Sequence, residues 1–584
     1  MEKRILVAFA LSFLVFTLYI RFFAPPPPPV GPVDEGAPAG GTPSPAAPRP
    51  GGADVAAPSP AGSEETTQEP SAETPDEPTG EVREDTEERK LTVDTPLYLA
   101  VFSNRGARLE SFVLKQYTDE HENLFQVIPM EAAERLSLHP LDLELEDDVL
   151  TKEMRAALFE ASVPRLVLNA DESKEMAFEW ADGRGHVVRK KLGFSGNTYR
   201  ITVEASAEQE GTELDKRILF GPGIGEVSRE GTYVQPDRGV VAAGGALQFF
   251  SAGDVEDFPG AAVGVQMVGV SAHYFAGLMV PERDGRYAAA LRRDILEWEQ
   301  EDGTTRPREF ISAALEAVNA PLRFTLYVGP KEQERLAELG PGLEGVVDYG
   351  SWMRYLAVPL RSALLWIHDY VGNYGWSIVL LTIAINIVLV PLKHHSYVSM
   401  RKMQKLGPQI KRIQERYKKL KPTDPRRQEM NKEVYGLYRE HNVSPVSGCL
   451  PMLLMIPFFF AFYRLLMVSI ELRHAPFVLW IQDLSAFDPY FVLPILMGAS
   501  QVAIQKLSPQ TSADPMQARM MMLMPVVFVF ILAWAPAGLV LYWFVNNLVS
   551  LVQQGVTNRY LTTHPAEEAS SGAAKKKKKG QAAG

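Results

Sequence analysis

Apolar residues in the last third of the chain are concentrated in five blocks, which constrain the fold more than any other feature. The 584-residue chain is 46% apolar, and the uneven distribution indicates both a soluble part and a membrane part. About 20 residues at about 1.5 Å rise per residue cross the ~30 Å hydrocarbon core of a bilayer as a helix. The sequence therefore predicts membrane spans in residues 376–390, 450–468, 491–507, 520–533 and 537 to about 552.

A sixth apolar block, residues 5–24, follows Lys3 and Arg4. It predicts a transmembrane anchor in residues 1–24. A cleaved signal peptide is the alternative, because it would share the basic start. The apolar run is long for a signal peptide and no small-x-small cleavage motif follows it, which favours the anchor. We thus expect a polytopic α-helical membrane protein with six transmembrane helices, five of them forming a C-terminal core.

The region between the anchor and the core divides into a tether and a β domain. Residues 25–90 are rich in Pro, Gly, Ala and Glu and too poor in large apolar residues to form a core, so they predict a disordered tether. Residues 91–330 contain short alternating runs such as YRITVEA, PRLVLNA and LRFTLYV between turn residues. They predict an all-β sandwich. Its acidic residues are scattered, without a paired acid/base arrangement.

Two amphipathic segments flank the first core span. In residues 331–371, Arg354, Arg361 and His368 recur every seven residues on an otherwise apolar helix, which is typical of a helix lying in the membrane interface. The core is predicted to cover residues 372–560. Within it, residues 393–445 show apolar steps of three and four on both sides of KPTDP, which predicts a helical hairpin. Residues 561–584 form a basic tail containing KKKKK.

The distribution of basic residues predicts the orientation. Between residues 393 and 449 there are 14 Lys and Arg against 5 acids, whereas residues 469–490 carry Arg473 as their single Lys or Arg. Basic segments are retained in the cytoplasm. Alternating the spans then places both termini in the cytoplasm and the β domain in the periplasm. The basic hairpin and tail are either solvated or contact an acidic partner such as anionic lipid or ribosomal RNA.

Polar residues interrupt three of the predicted spans in their cytoplasmic halves. Thr382 and Asn386 share one helix face, and Lys393 continues it; Gln501 and Asn546 occupy comparable depths in two other spans. Polar groups facing lipid are unfavourable, so these residues predict a shared wet cavity open to the cytoplasm and closed toward the periplasm. The alternative is that each amide only hydrogen-bonds a neighbouring helix.

Long motifs in the core resemble a known family. NYGWSIVLLT, PMQARMMMLMPVVF, AGLVLYWFVNNL and the segment from GCLPMLLMIPFFFAFYRLLM to FVLPILMG resemble the YidC-type membrane protein insertases, which are related to the mitochondrial Oxa and chloroplast Albino proteins. The resemblance is dense in residues 348–560. In the β domain, FSNRGARLESFVLKQY and YFAGLMVP resemble the large periplasmic domain of Gram-negative members.

The resemblance implies an insertase and chaperone of the bacterial inner membrane rather than an enzyme. Such a protein moves the hydrophilic end of a nascent membrane protein through a cytoplasm-open groove, alone or beside the Sec translocon. The implied partners are nascent membrane proteins, the ribosome, the Sec translocon and anionic lipids, with no small-molecule substrate. No cofactor or metal is expected, and the sequence contains no GxxxxGK[ST] nucleotide-binding motif.

By position, the resemblance also implies individual groove residues. Thr382 and Trp543 look like substrate contacts, as do Ile456 and Phe459 on the third span. Asn386 stands where most bacterial members have a groove arginine. A neutral amide lacks the Coulombic attraction of arginine for acidic substrates, so we hypothesise that Lys393 or Arg464 supplies the charge. The full candidate set is Thr382, Asn386, Ile456, Phe459, Gln501, Tyr542, Trp543 and Asn546, with Lys393 and Arg464 as charge donors.

Two other classes of function would use a similar cavity. A secondary transporter or channel tends to show repeated halves and Gly- or Pro-broken helices, and no internal duplication is visible. An intramembrane enzyme needs a nucleophile with a base, or an acidic pair, within the spans, and the sequence offers neither there.

Overall fold

The computed structural model describes residues 81–119, 121–225, 235–257, 264–282, 287–299, 304–350, 352–417, 424, 426–441, 450–507 and 515–563. The predicted anchor 1–24, the tether up to residue 80 and the tail from residue 564 lie outside these ranges. The chain divides into two units, one comprising residues 1–76 and 416–435, the other residues 77–415 and 436–584. The fold and the site described below belong to the second unit unless stated otherwise.

Twenty strands form within the described residues of the N-terminal half, and we call this region the β domain. In chain order they are β1 Val82–Arg83, β2 Lys90–Asp94, β3 Tyr98–Ser103, β4 Arg108–Thr118, β5 Leu124–Gln126, β6 Leu143–Leu145, β7 Glu160–Ala161, β8 Arg165–Val167, β9 Ser173–Asp182, β10 His186–Ser195, β11 Arg200–Gln209, β12 Thr212–Glu213, β13 Lys216–Phe220, β14 Arg238–Ala243, β15 Ala246–Phe250, β16 Val265–Ser271, β17 Phe275–Pro281, β18 Tyr287–Glu299, β19 Thr305–Ala317 and β20 Leu322–Pro330.

Ten α-helices are present in the described residues. They are α1 Met130–Leu136, α2 Asp148–Ala156, α3 Gln333–Ala337, α4 Arg354–Val371, α5 Tyr374–Arg416, α6 Arg426–Glu440, α7 Leu450–Val468, α8 Val492–Leu507, α9 Pro515–Leu532 and α10 Ala537–Thr563, with short 3-10 helices at Asp254–Asp257, Leu343–Val346 and Ile470–Leu472.

The strands of the β domain pair into three sheets. The largest has eleven strands, in the order β1-β9-β10-β11-β20-β17-β16-β14-β15, with β12 added to β11 and β7 added to β9. A four-stranded sheet has the order β18-β19-β13-β6, and a five-stranded sheet the order β5-β4-β3-β2-β8. Among the described strands, the pair β2 and β8 is parallel and the other ladders are antiparallel.

Aromatic side chains pack the large sheet against both smaller sheets. Phe102 of β3 lies 5.8 Å from Phe194 of β10 between ring centroids, and Phe125 of β5 stacks on Phe275 of β17 at 4.0 Å. Toward the four-stranded sheet, Gly277 approaches Phe220 so closely that a Cβ there would lie 1.9 Å from the ring. The large sheet therefore forms one layer of a sandwich and the smaller sheets form the other, so the predicted β-rich domain is confirmed.

The domain is not all-β as predicted, because α1 and α2 are inserted between its strands. Helix α2 begins after Asp147, whose carboxylate accepts hydrogen bonds from the backbone N–H groups of Val149 at 2.7 Å and Leu150 at 3.3 Å. This N-cap satisfies donors that have no partner within a helix. Leu150 and Met154 of the same helix are buried in the core.

Lys190 is a fully buried cation in the large sheet. Its Nζ donates hydrogen bonds to the carbonyl oxygens of Gly106 at 2.8 Å, Ala107 at 3.0 Å and Leu141 at 2.8 Å. Burial lowers the pKa of Lys190 to about 7, whereas three carbonyl acceptors stabilise the ammonium form. Lys190 thereby connects β10 to the turn between β3 and β4 and to the segment before β6.

The helical region contains two helices long and apolar enough to cross a membrane, Tyr374–Arg416 and Ala537–Tyr560, among the residues described. Helices α7, α8 and α9 also contain apolar stretches, at Met455–Val468, Val492–Leu507 and Met522–Leu532. Five of the six predicted spans thus correspond to apolar helices, and the sixth lies outside the described residues. The number of membrane crossings stays a prediction. We call α5 and α7–α10 the core bundle.

The predicted hairpin begins inside α5, because this helix continues without interruption from the first core span to residue 416, although Pro391 and Pro408 lie within it. Helix α6 corresponds to the second arm of the predicted hairpin. Within the first unit of the chain, Arg416 donates to Glu433 at 2.9 Å, close to the turn of the hairpin.

Ion pairs join the β domain to the core bundle through α4. Arg361 of α4 is 4% exposed, donates to both carboxylate oxygens of Glu334 at 2.7 and 2.8 Å, and pairs with Glu471 after α7. Close to this cluster, the Nε2 of buried His273 donates to the Met467 carbonyl of α7 at 2.6 Å. Large aromatic side chains of α4, including Trp366, are exposed, and the location of this helix in the membrane interface stays a prediction.

Replacing Lys190 with methionine tests the role of this buried cation. Lys190→Met leaves three buried carbonyl oxygens without their donor, so we expect the opening free energy of β10 and β11 to fall by about 2–4 kcal/mol. Hydrogen exchange of these strands, measured on the full chain, reports the change. Lys191→Met is the matched control, since Lys191 points outward to Glu175 and should change the value by less than about 0.5 kcal/mol. Equal effects of the two substitutions would contradict the assignment.

Candidate functional site

A cavity of about 640 Å³ lies within the core bundle and is called the groove below. Helices α5, α7, α8, α9 and α10 all contribute to its lining. Seven of the ten residues predicted from the sequence line it: Lys393, Ile456, Phe459, Gln501, Tyr542, Trp543 and Asn546. The tertiary structure therefore brings together most of the candidate set, from four different helices.

The groove occupies the half of the bundle that is farther from the β domain. On α7 the lining residues lie between 455 and 460, whereas the end of this helix near residue 467 contacts the β domain. On α10 the lining begins at Tyr542, about 8 Å along the helix from its first residue. The opposite halves of three helices are tightly buried, as shown by Ile378, Leu381, Ala461, Phe462, Leu465, Ala537, Leu539 and Val540.

The segment of residues 469–490 covers the closed end of the bundle. Its backbone carbonyl at Leu484 accepts from Gly538 at 2.9 Å, and Ala486 accepts from Ala537 at 2.7 Å. The same segment contacts the β domain, since the guanidinium of Arg473 lies 5.3 Å from the ring centre of Phe275. The groove is thus closed on the side of the β domain.

Aromatic side chains form the apolar end of the groove. Trp543 packs edge-to-face against Phe459 with centroids 4.7 Å apart and lies 5.2 Å from Phe528. Tyr542 stacks on Phe462 at 4.4 Å. These contacts fix the rings of α7, α9 and α10 against each other, so the groove ends at a rigid apolar wall.

Four polar oxygens in the groove are buried without a hydrogen-bond partner among the described residues: Gln501 Oε1, Tyr542 Oη, Asn546 Oδ1 and Gln553 Oε1. Buried polar atoms in proteins are normally bonded to protein or to water. Their convergence on one cavity, rather than on neighbouring helices, favours the shared polar groove over isolated helix–helix contacts.

Thr382 and Asn386 are buried but do not line the groove. Both are 0% exposed, and each donates to its own helix: Thr382 Oγ1 to the Ile378 carbonyl at 2.7 Å, and Asn386 Nδ2 to the Thr382 carbonyl at 2.8 Å. These hydrogen bonds give each side chain an acceptor within its own helix. Their polarity reaches the groove indirectly, through Lys393.

Lys393 turns back along α5 toward Asn386. Its Nζ donates to Asn386 Oδ1 at 2.6 Å and to Ser550 Oγ of α10 at 3.4 Å. The sequence predicted that Lys393 and Asn386 share one helix face, and the two side chains are in direct contact. Lys393 also lines the groove. The ammonium is therefore held in the groove rather than extended away from the bundle.

Arg464 lies elsewhere, near the junction with the β domain. The Nε atom of Arg464 lies 4.0 Å from the position that a Cβ atom would occupy at Gly350. Burial raises the pKa of Asp348, but Arg238, which donates to it at 3.2 Å, and the charge of Arg464 together hold that pKa below its usual value. The structure thus brings Lys393, but not Arg464, to Asn386.

Sequence reasoning missed Asn547, which is 2% exposed and connects α10 to α8. Its Nδ2 donates to Ser500 Oγ at 3.0 Å and to the Met497 carbonyl at 3.3 Å. Asn546 and Asn547 both line the groove, and Asn547 in addition fixes the rotation of α10 against α8. The adjacent pair of amides in YWFVNNL was the available signal.

The lining carries one lysine, several amides and hydroxyls, and no carboxylate. Among the described residues, no group of three His, Cys, Asp or Glu side chains is arranged to hold a metal ion. The groove is therefore suited to hydrogen-bonding and to attracting negative charge.

Comparison with known proteins gives a consistent result along the chain. The family model described as 60Kd inner membrane protein matches residues 366–564, and the model of the YidC periplasmic domain matches residues 90–363. The YidC insertase of Geobacter metallireducens is 36% identical over 491 residues, covering 82% of this chain and 88% of that protein. The chain belongs to the YidC family of membrane protein insertases. The family predicted from the core motifs is thus confirmed.

Other YidC proteins are similar over still more of the chain. The membrane protein insertase of Geotalea daltonii is 33% identical over 579 residues, covering 96% of this chain and all of that protein. The insertase of Oleidesulfovibrio alaskensis is 37% identical over 482 residues, covering 80% and 86%. A crystal structure of an active YidC insertase aligns with 19% identity and a TM-score of 0.34, covering 81% and 94% of the two chains.

Cysteine labelling tests whether the groove is wet. In a background in which Cys449, the single cysteine of the chain, is replaced by serine, we expect Gln501→Cys and Asn546→Cys to react readily with a hydrophilic maleimide in intact membranes. Thr382→Cys should react slowly, because Thr382 is fully buried. Leu548→Cys is the control for exposure to lipid alone, since Leu548 is 41% exposed outside the groove. If positions 501 and 546 reacted as slowly as 548, the groove would be dry.

Proposed function

We propose that this insertase moves the hydrophilic end of a nascent membrane protein through the groove, while the apolar segment of the client leaves sideways into lipid. The observation that carries the proposal is the one-sided groove. It has polar residues and Lys393 along its length, an aromatic wall at one end, and a closed end toward the β domain. A hydrophilic client segment that enters this groove replaces hydrogen bonds to bulk water with hydrogen bonds in the groove before it reaches hydrocarbon.

The physical effect of the groove is to shorten the apolar barrier. Transfer of unpaired polar groups into hydrocarbon is strongly unfavourable, and a wet groove replaces part of that path. Helices α7, α8 and α9 have 19, 16 and 18 residues, which corresponds to about 24–29 Å at about 1.5 Å per residue. Helices shorter than the ~30 Å core favour local thinning of the bilayer. Both features lower the barrier for a short hydrophilic segment without a nucleotide.

We place the protein in the inner membrane of a bacterium, in agreement with the descriptions of its relatives and of the family model. The proposed orientation puts the β domain in the periplasm and both termini in the cytoplasm. It rests on the 14 Lys and Arg against 5 acids in residues 393–449 and on the closure of the groove toward the β domain.

The proposed partners are nascent inner-membrane proteins as clients, the ribosome, the Sec translocon and anionic lipids. The basic hairpin supports contact with RNA or with lipid headgroups, because a clustered positive charge attracts both. The role beside the Sec translocon, and as a chaperone for folding, follows from family membership.

Reconstitution tests the function directly. In liposomes containing the purified chain, a small client with a hydrophilic N-terminal tail should become protected from external protease without added ATP. The matched control is a vesicle that contains the same protein with Gln501 and Asn546 both replaced by leucine, which removes two groove amides without changing the aromatic wall. Solute flux without insertion of the client would instead indicate a transporter.

We also propose that Lys393 supplies the positive charge of the groove, in place of the arginine that Asn386 replaces. A charged hydrogen bond to an acidic client tail favours entry, so Lys393→Ala should reduce insertion of an acidic-tailed client about tenfold. Lys393→Arg should retain insertion, and a client with a neutral tail should be affected much less. Insertion is measured by protease protection in the same liposomes.

Two controls distinguish charge in the groove from charge elsewhere. His394→Ala changes the neighbouring residue, which does not line the groove, and Arg464→Ala removes a charge located at Gly350 and Asp348. Neither should change the preference for acidic tails. Unchanged insertion of the acidic-tailed client by Lys393→Ala would refute the role of Lys393 while leaving the insertase function intact.

A further inference from the structure

A second cavity, of about 240 Å³, lies in the β domain and is called the side pocket below. It is built from three separate pieces of chain: Lys90 at the start of β2, Arg108 and Glu110 on β4, and the end of α1 with the turn that follows it, which contributes Glu134 and His139. Its volume is below the roughly 300–1,000 Å³ of pockets for drug-sized ligands, so a small molecule is indicated.

Two side chains that line the side pocket each contain a buried polar atom that has no hydrogen-bond partner among the described residues. His139 is 6% exposed, and although its backbone N–H donates to Asp142 at 2.9 Å, its ring Nδ1 is buried without a hydrogen bond to the described residues. The Nε of Arg108 is likewise buried and unbonded. Native proteins rarely leave such atoms unsatisfied, and both belong to side chains that line the side pocket.

The charges around the side pocket are of both signs. Lys90 lies 3.2 Å from Glu110, and Arg108 lies 3.6 Å from the other oxygen of the same carboxylate. Two cations therefore share one acid, which leaves positive charge at this end. Glu134 on α1 supplies a second carboxylate. Burial and the nearby charge of Arg108 lower the pKa of His139, so the ring is neutral and one nitrogen can accept a hydrogen bond.

These features exclude ligands of a single charge. A simple anion attracted to Lys90 and Arg108 would also face Glu110 and Glu134, and a simple cation would face both basic groups. A molecule with a carboxylate next to an ammonium meets complementary groups at both ends. Its carboxylate accepts from Arg108 and Lys90, and its ammonium donates to Glu134 and to the neutral ring of His139.

We propose that the side pocket binds a small zwitterion of the α-amino acid type, independently of the groove. The pocket shares no residue with the groove. The β domain thus carries a ligand site in addition to its contacts with the core bundle.

Calorimetric titration of the full chain in detergent tests the proposal, with glycine and L-alanine as probes at neutral pH. We expect saturable binding of at least one of them, weakened about tenfold or more by Glu134→Gln and by Lys90→Gln. Both side chains lie at the surface, so neither change should unfold the domain. Glu131→Gln is the matched control, because Glu131 is on the same helix, pairs with Arg135 at 3.4 Å and does not line the pocket.

Acetate and methylammonium, which each carry half of the zwitterion, complete the test. Both should bind much more weakly than the amino acid. Acetate or phosphate binding as tightly as glycine would replace the proposal with a simple anion site, and glucose binding in place of glycine would indicate a polyol site. Absence of saturable binding by either amino acid, or binding that the two substitutions leave unchanged, would overturn it.

Discussion

The unfavourable transfer of polar groups into hydrocarbon is the constraint on which the helical part of this protein depends. Amides and a lysine are present in the core bundle, and the lysine does not stand alone there: Lys393 is bonded to Asn386 and Ser550. Thr382 and Asn386 satisfy their donors within α5. The oxygens that have no such partner converge on one groove. The bundle therefore bonds part of its polar side chains to each other and collects the remaining polar oxygens in the groove.

Closure of the other half of the bundle follows from packing and from the β domain. Side chains such as Phe462 and Val540 fill the interior between the helix ends, and the segment of residues 469–490 covers them. The β domain holds this segment through the Arg361 ion pairs and through His273 on the end of α7. A buried arginine with two carboxylates requires accurate geometry, because any displacement would leave a charge without its partner. The large domain thereby fixes the ends of the helices that form the groove.

Much of this architecture could be predicted from the sequence. The alternation of apolar residues predicted the β domain, and the spacing of Asn386 and Lys393 predicted that they share a face, because seven residues are nearly two turns of a helix. Helices α1 and α2 were not predicted, because helices of 7 and 9 residues contain too few turns for their apolar period to be recognised among strands. The location of Arg464 could not be predicted either. Its position on α7 allowed it to point toward the groove or toward the β domain, and Asp348, which is far away in sequence, lies on the side of the β domain.

The sequence by itself determined the kinds of segment: which stretches are apolar enough for a membrane, which alternate as strands, which side carries the basic residues, and to which family the motifs belong. These properties are local, because helix period, strand period and span length depend on neighbouring residues alone. The tertiary structure alone decided that Asn546 and Asn547 line the groove and that Asn547 also bonds to α8. It alone brought Lys90, Arg108 and His139 into one pocket. Such contacts join residues from different elements, and their formation depends on how whole helices and sheets pack rather than on any local pattern.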